Sequence, residues 1–207
     1  MYAYIKGSLE MKLVDSVVVE ANNIGYKIYM AQNAIEKCGN IGEIVKIHTH
    51  YHVREDNISL YGFLTGEELR MFELLISVSG IGAKSALTIL ANIEPHSFAI
   101  AVITNDEARL VKIPGLGKKT AQRMILELRD KMKKVELEEI SGEEEASATN
   151  ADENILEAIS ALSVLGYNKK EIEKAFEKED LRGLSVEDII RKGLSILSRD
   201  ERRRCNV

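Results

Sequence analysis

Two stretches set 35 residues apart decide how this sequence folds: Ile76-Ser77-Val78-Ser79-Gly80-Ile81-Gly82-Ala83-Lys84-Ser85-Ala86 and Val111-Lys112-Ile113-Pro114-Gly115-Leu116-Gly117-Lys118-Lys119-Thr120-Ala121. Four pairs are identical, namely Gly80/Gly115, Gly82/Gly117, Lys84/Lys119 and Ala86/Ala121. Ile76/Val111, Val78/Ile113, Ile81/Leu116, Ser85/Thr120 and Leu90/Ile125 match in character. The repeated unit reads as a helix, a tight glycine turn and a second helix. Glycine lets the backbone turn without a Cβ penalty and approach a ligand closely, and the apolar residue between each pair pins the turn between its helices. The first amides of a helix are unpaired and its dipole favours an anion there. Lys84, Lys118, Lys119 and Arg123 add cations beside those amides, so a phosphate fits. A dinucleotide site is excluded because no strand precedes the glycines and no third glycine follows at the required place. An ATP-binding P-loop fails as well, since Gly117-Lys118 is followed by Lys119 and Lys112 stands where the first glycine should be. Two repeats are too few for a helical solenoid.

Working outward, the 207 residues are 45% apolar and 29% charged, an ordinary globular balance that excludes wholesale disorder and fibrous architectures. The longest uncharged runs, Pro95 to Asn105 and Ala158 to Asn168, fall far short of the roughly 20 residues needed to span a bilayer. Met1-Tyr2-Ala3-Tyr4 does not read as a secretory leader, so a cytoplasmic location is expected. Cys38 and Cys205 lack a C-x-x-C partner, and both are expected to be free thiols.

The net charge of −5 hides an uneven distribution. Residues 1–62 carry net −1, residues 63–134 net +3, residues 135–154 net −8 without a single Lys or Arg, and residues 155–207 net +1. The basic stretch is the one that holds the repeat. The acidic stretch repels itself and contains Gly142, which predicts an extended, solvated linker. The first few of its residues could instead prolong the preceding helix.

Before the repeat, polarity alternates through Tyr2–Ile5, Ser16–Glu20, Tyr26–Tyr29, Glu43–His48 and Ile58–Tyr61. Turn residues Asn22-Asn23-Ile24-Gly25, Gly39-Asn40 and Arg54-Glu55-Asp56-Asn57 separate these runs, giving five strands. Seven of the 11 aromatics lie in residues 1–63, which suits a small closed barrel of OB-fold size. Beyond Phe63 the period becomes helical, with capping boxes expected at Thr65/Glu68, Thr104/Glu107, Asn168/Glu171 and Ser185/Asp188. Pro95 should open one helix and Pro114 interrupt another. The last segment reads as three short helices turning at Gly166-Tyr167-Asn168 and Arg182-Gly183-Leu184. The expected fold is thus α+β and multi-domain: a five-stranded OB-fold β-barrel at 1–63, an all-α tandem helix-hairpin-helix domain at 64–134, a flexible acidic linker at 135–154 and a C-terminal three-helix bundle at 155–207.

The paired units match the helix-hairpin-helix motif, a sequence-independent reader of DNA phosphates. With the barrel before and the bundle after, the whole chain resembles the RuvA family of Holliday junction-binding subunits. The resemblance is most specific in Val53-Arg54-Glu55-Asp56, Leu60-Tyr61-Gly62-Phe63 and Ile113–Ala121, and the first hairpin departs from the usual motif by carrying Ser79 where proline is common. It implies a non-catalytic homotetramer, one or two per junction, that binds Holliday junction DNA and recruits RuvB, an AAA+ ATPase motor, with the RuvC resolvase as a further partner. It implies no cofactor. DNA contacts would come from Ser79, Gly80, Gly82, Lys84, Gly115, Gly117, Lys118, Lys119, Thr120 and Arg123. Glu55 and Asp56 would form an acidic pin at the junction centre, although adjacent acids at a hairpin tip are ordinarily turn-formers. Leu165, Tyr167 and Leu184 would contact the motor, where a core role is the alternative for each.

His48, His50 and His52 alternate along one strand and could in principle hold zinc, but no carboxylate is placed by sequence to support them, and no metal site is expected. No nucleophile elbow, cysteine–histidine signature or metal-binding carboxylate pattern is present. The competing function is a helix-hairpin-helix DNA-repair enzyme of nuclease or glycosylase type.

Overall fold

The computed structural model describes residues 2–55, 57–140, 150–177, 179–181 and 183–205. Five strands, β1 (Tyr4–Lys12), β2 (Ser16–Ala21), β3 (Ile24–Tyr29), β4 (Ile44–Val53) and β5 (Ile58–Phe63), close a barrel in the order β1-β2-β3-β5-β4. All neighbours are antiparallel except β3 and β5, which run parallel through Ile28↔Leu60 and Tyr29↔Tyr61. The β2–β3 turn is tighter than the four-residue turn expected. Asn22 and Asn23 alone make it, with φ of 53° and 63°, and Ile24 already pairs with Ala21. Two consecutive left-handed residues match the twist of the flanking strands, and asparagine tolerates that conformation better than most side chains.

One element was not expected. Helix α1 (Gln32–Lys37) lies between β3 and β4, turning Ala34 and Ile35 into a core with Leu9, Val17, Val19, Ile28 and Ile47. At six residues it is too short for a helical period to register in the sequence, and burial of its apolar side holds it in place. Cys38 follows it as a buried free thiol, its pKa raised by loss of solvent and only partly offset by Lys12. The thiol expectation for Cys205 falls outside the described side chains.

Helices complete the chain: α2 (Gly66–Ile76), α3 (Ala83–Asn92), α4 (Pro95–Ile103), α5 (Glu107–Leu110), α6 (Lys118–Ile140), α7 (Asn150–Val164), α8 (Lys169–Phe176) and α9 (Val186–Cys205). Side-chain caps form at three of the four expected positions, two with the expected partner, while Asn168 accepts from Lys170 in place of Glu171. Thr65 accepts from the Glu68 amide, Asn168 from that of Lys170 and Ser185 from that of Asp188. The fourth is corrected: Thr104 turns its hydroxyl back to the Ile100 carbonyl, and Asp106 caps α5 by accepting the Arg109 amide. Asn105, at φ 55°, ends α4 and leaves Asp106 at the capping position. No single helix among the described residues is long and apolar enough to cross a membrane.

The chain forms two compact units, Met1–Ser77 with Ile81–Glu94, and Val78–Gly80 with Pro95–Val207. The expected boundary after residue 63 therefore does not separate the barrel from α2. Phe72 of α2 is fully buried against Phe63, Tyr61 and His50, with ring centroids 4.8, 5.3 and 5.3 Å away. That aromatic contact makes barrel and helix one body. The expected linker also needs correction at both ends. Helix α6 runs on to Ile140 and α7 begins at Asn150, so 135–140 and 150–154 are helical, and 141–149 lie outside the described residues. Val135 to Ile140 holds no Gly or Pro, and extending an existing helix avoids the cost of nucleation, which outweighs repulsion among its glutamates.

Gly62 sits where β5 faces the barrel core, and a Cβ there would strike Ile28 and come within 2.7 Å of Ile47. Gly62→Ala is expected to destabilise the barrel by about 1–3 kcal/mol through overpacking, measured by thermal or urea unfolding; a melting curve superimposable on the parent's would contradict this packing.

Candidate nucleic-acid interface

The repeat is realised in the backbone. Gly80 and Gly115 take φ of 83° and 79°, the left-handed conformation that only glycine adopts freely, while Gly82 and Gly117 lie outside it. The carbonyls of Gly82 and Gly117 each accept the amide four residues on, from Ala86 and Ala121, at 2.9 Å in both cases. Val78 and Ile81 in the first turn, and Ile113 and Leu116 in the second, are buried. The apolar residue between the glycines thus pins each turn as its position suggested. No side chain caps α3, whose N-cap is Gly82, so its first amides are left to an outside acceptor.

The polar members surround these helix starts. Lys84, Lys118, Lys119 and Arg123 are exposed and Thr120 is half-buried. A Cβ built on Gly82, Gly115 or Gly117 would meet nothing within 4 Å, so the backbone there faces open space into which a phosphate could come. Gly80 differs, because the Arg123 guanidinium lies directly over it. Ser79 differs too: its amide already donates to Glu127 Oε2 at 3.0 Å and does not face outward as expected. Arg123 and Glu127 are themselves 3.9 Å apart on α6. Glu127 is a member of this constellation that the sequence did not mark, since 48 positions separate it from Ser79 and its only local signal is the i, i+4 spacing to Arg123.

At the β4–β5 turn, the Arg54 amide donates to the Asn57 carbonyl, and Glu55 is exposed between them. Asp56 lies outside the described residues. The histidines of β4 are engaged separately. His50 Nδ1 meets Glu73 Oε1 at 3.1 Å, and His52 Nε2 accepts from Arg54 Nε at 3.0 Å. Burial, then Arg54, then His50 lower the pKa of His52, consistent with a neutral ring that can accept that bond. Among the described residues no three His, Cys, Asp or Glu side chains are grouped to hold a metal ion.

The expected motor contacts are only partly accessible. Leu165 and Tyr167 are 9% and 6% exposed and lie in the bundle's own core. They follow α7 at a turn where Gly166, at φ 88°, reverses the chain and folds both flanking side chains inward. Leu184 is half-buried, and its carbonyl accepts from Asn154 Nδ2.

Comparison with known proteins finds three matches along the chain. Residues 1–62 match the RuvA N terminal domain, residues 72–130 a SAM-like helix-hairpin-helix tandem, and residues 154–198 the RuvA C-terminal domain. A protein of Acetivibrio thermocellus named Holliday junction branch migration complex subunit RuvA is 48% identical over 201 residues, which covers 96% of this chain and 100% of the relative. Proteins with the same name from Ruminiclostridium cellulolyticum and Clostridium perfringens are 45% and 46% identical, over 95% and 96% of this chain and the whole of each relative. The chain belongs to the RuvA family. Membership accounts for the barrel, the tandem hairpins and the helical C-terminal domain together, and it leaves the repair-enzyme alternative unsupported.

The two glycines of the second turn should respond differently to a methyl group. Gly115→Ala is expected to cost about 1–2 kcal/mol of stability for the left-handed backbone, whereas Gly117→Ala, with ordinary φ and open space, should leave the melting temperature nearly unchanged. Equal losses for both would contradict the assigned turn geometry.

Proposed function

We propose that this chain is the non-catalytic, structure-specific DNA-binding subunit of a branch-migration complex. It acts in the cytoplasm in homologous recombination and DNA repair, gripping the sugar–phosphate backbone of a Holliday junction through its two hairpins. The observation that carries the reading is the pair of equivalent turns, with left-handed Gly80 and Gly115 and open space before Gly82 and Gly117. A phosphate oxygen entering there would accept helix-start amides and lie beside Lys84 or Lys118 and Lys119. Such contacts read no bases, so selectivity must come from the shape of the junction.

One chain offers few phosphate contacts. A homotetramer with four-fold symmetry multiplies them, matches the four arms of an open junction and makes binding steeply salt-dependent. Glu55, exposed at its hairpin tip, serves with Asp56 as the acidic pin. Its negative charge repels the strands at the crossover and disfavours a continuous duplex. The C-terminal domain recruits and stimulates RuvB, through side chains other than the buried Leu165 and Tyr167. Leu184 and the exposed Leu156 of α7 remain available to that contact. RuvC is the further partner of the DNA-bound assembly.

In a competition gel shift the chain should retain a synthetic four-way junction against excess linear duplex, without cutting it in Mg²⁺; equal competition by duplex, or strand scission, would sink the reading. Lys118→Ala with Lys119→Ala should weaken junction binding and reduce the slope of log K against log salt by about 0.9 for each phosphate that is no longer neutralised. Glu55→Gln with Asp56→Gln should keep or raise affinity while relaxing the preference for junction over duplex; unchanged selectivity would remove the pin from the mechanism.

A further inference from the structure

The two hairpins differ at one backbone donor. Pro114 of the second has no N–H, whereas Ser79, its equivalent 35 residues earlier, has one. That amide donates to Glu127 Oε2 at 3.0 Å, across 48 residues, and the carboxylate stands 3.9 Å from Arg123, whose guanidinium covers Gly80. We infer that Glu127 is a positioning residue for DNA binding, which takes the place of the missing proline by fixing the Ser79 amide and holds Arg123 over the first hairpin. The inference rests on the phosphate-binding role proposed for that hairpin.

The physical argument concerns alternatives. A proline restrains φ covalently and leaves no donor to satisfy. A serine leaves both the torsion and an amide free, and the carboxylate of α6 supplies the restraint through a charge-assisted bond. The bond is local to the second compact unit, which contains Val78–Gly80 as well as α6. It also steadies a cation over Gly80, because Arg123 and Glu127 lie four residues apart on one face of α6. A carboxylate near DNA repels it, so Glu127 would be unfavourable there if it did nothing else. Its place beside the hairpin makes sense as a restraint.

Charge and restraint are separable by experiment. Glu127→Ala and Glu127→Gln both remove the negative charge, but only glutamine keeps an oxygen that can accept the Ser79 amide. The side chain of Glu127 is 31% exposed, and both variants are expected to fold. Junction affinity of the full-length E127Q protein should exceed that of E127A by about three- to tenfold, the range for one hydrogen bond. In a Ser79→Pro background, where no amide remains to be held, the gap between glutamine and alanine should close. Amide hydrogen exchange at Ser79, measured without DNA, should be faster in E127A than in E127Q. Equal affinities for E127Q and E127A, or a gap that persists with Ser79→Pro, would overturn the inference. Unchanged exchange at Ser79 would overturn it even if the proline variant does not fold. Failure of the unsubstituted protein to retain the junction would instead defeat the proposed function, and the exchange measurement would still decide the Ser79–Glu127 bond.

Discussion

The left-handed backbone at Gly80 and Gly115 is the constraint on which the candidate interface depends. A side chain at either position would oppose the turn, and without the turn the following helix would not present its first amides outward. The buried residues on either side, Val78 with Ile81 and Ile113 with Leu116, keep the turns from relaxing. Apolar burial and a permissive residue together fix the start of each following helix. Lysines beside it then add charge without having to define its geometry.

The hairpins are equivalent in torsion and hydrogen bonding but are stabilised by different means. The second has its restraint built into the chain as Pro114. In the first, the Ser79 amide donates to Glu127 of α6, and Arg123 lies directly over Gly80. The two copies of the motif thus differ locally, one carrying a proline and the other an amide bonded to a carboxylate 48 residues away.

The barrel and α2 are held together by aromatic packing. Phe72, Phe63 and Tyr61 form a cluster that binds α2 to β5, and His50 lies against the same ring. The sequence change from period two to period 3.6 at Phe63 marks a change of element but no boundary between bodies. Likewise the excess of acid in residues 135–154 suggested a linker, yet 135–140 are helical because a propagating helix tolerates charge that would prevent a new one from starting.

Local rules were enough for much of this protein. Alternation gave the five strands, the repeat gave both glycine hairpins, and two of four caps follow from residues three positions apart. These features depend on neighbours in the chain, whose chemistry is written in order. Tertiary structure alone decided the rest: that α1 closes onto the barrel core, that Leu165 and Tyr167 turn inward, and that Glu127 reaches Ser79. Each of those depends on which surfaces are available when distant segments meet. Burial and long-range hydrogen bonds are properties of the assembled chain, and no local pattern of residues encodes them separately.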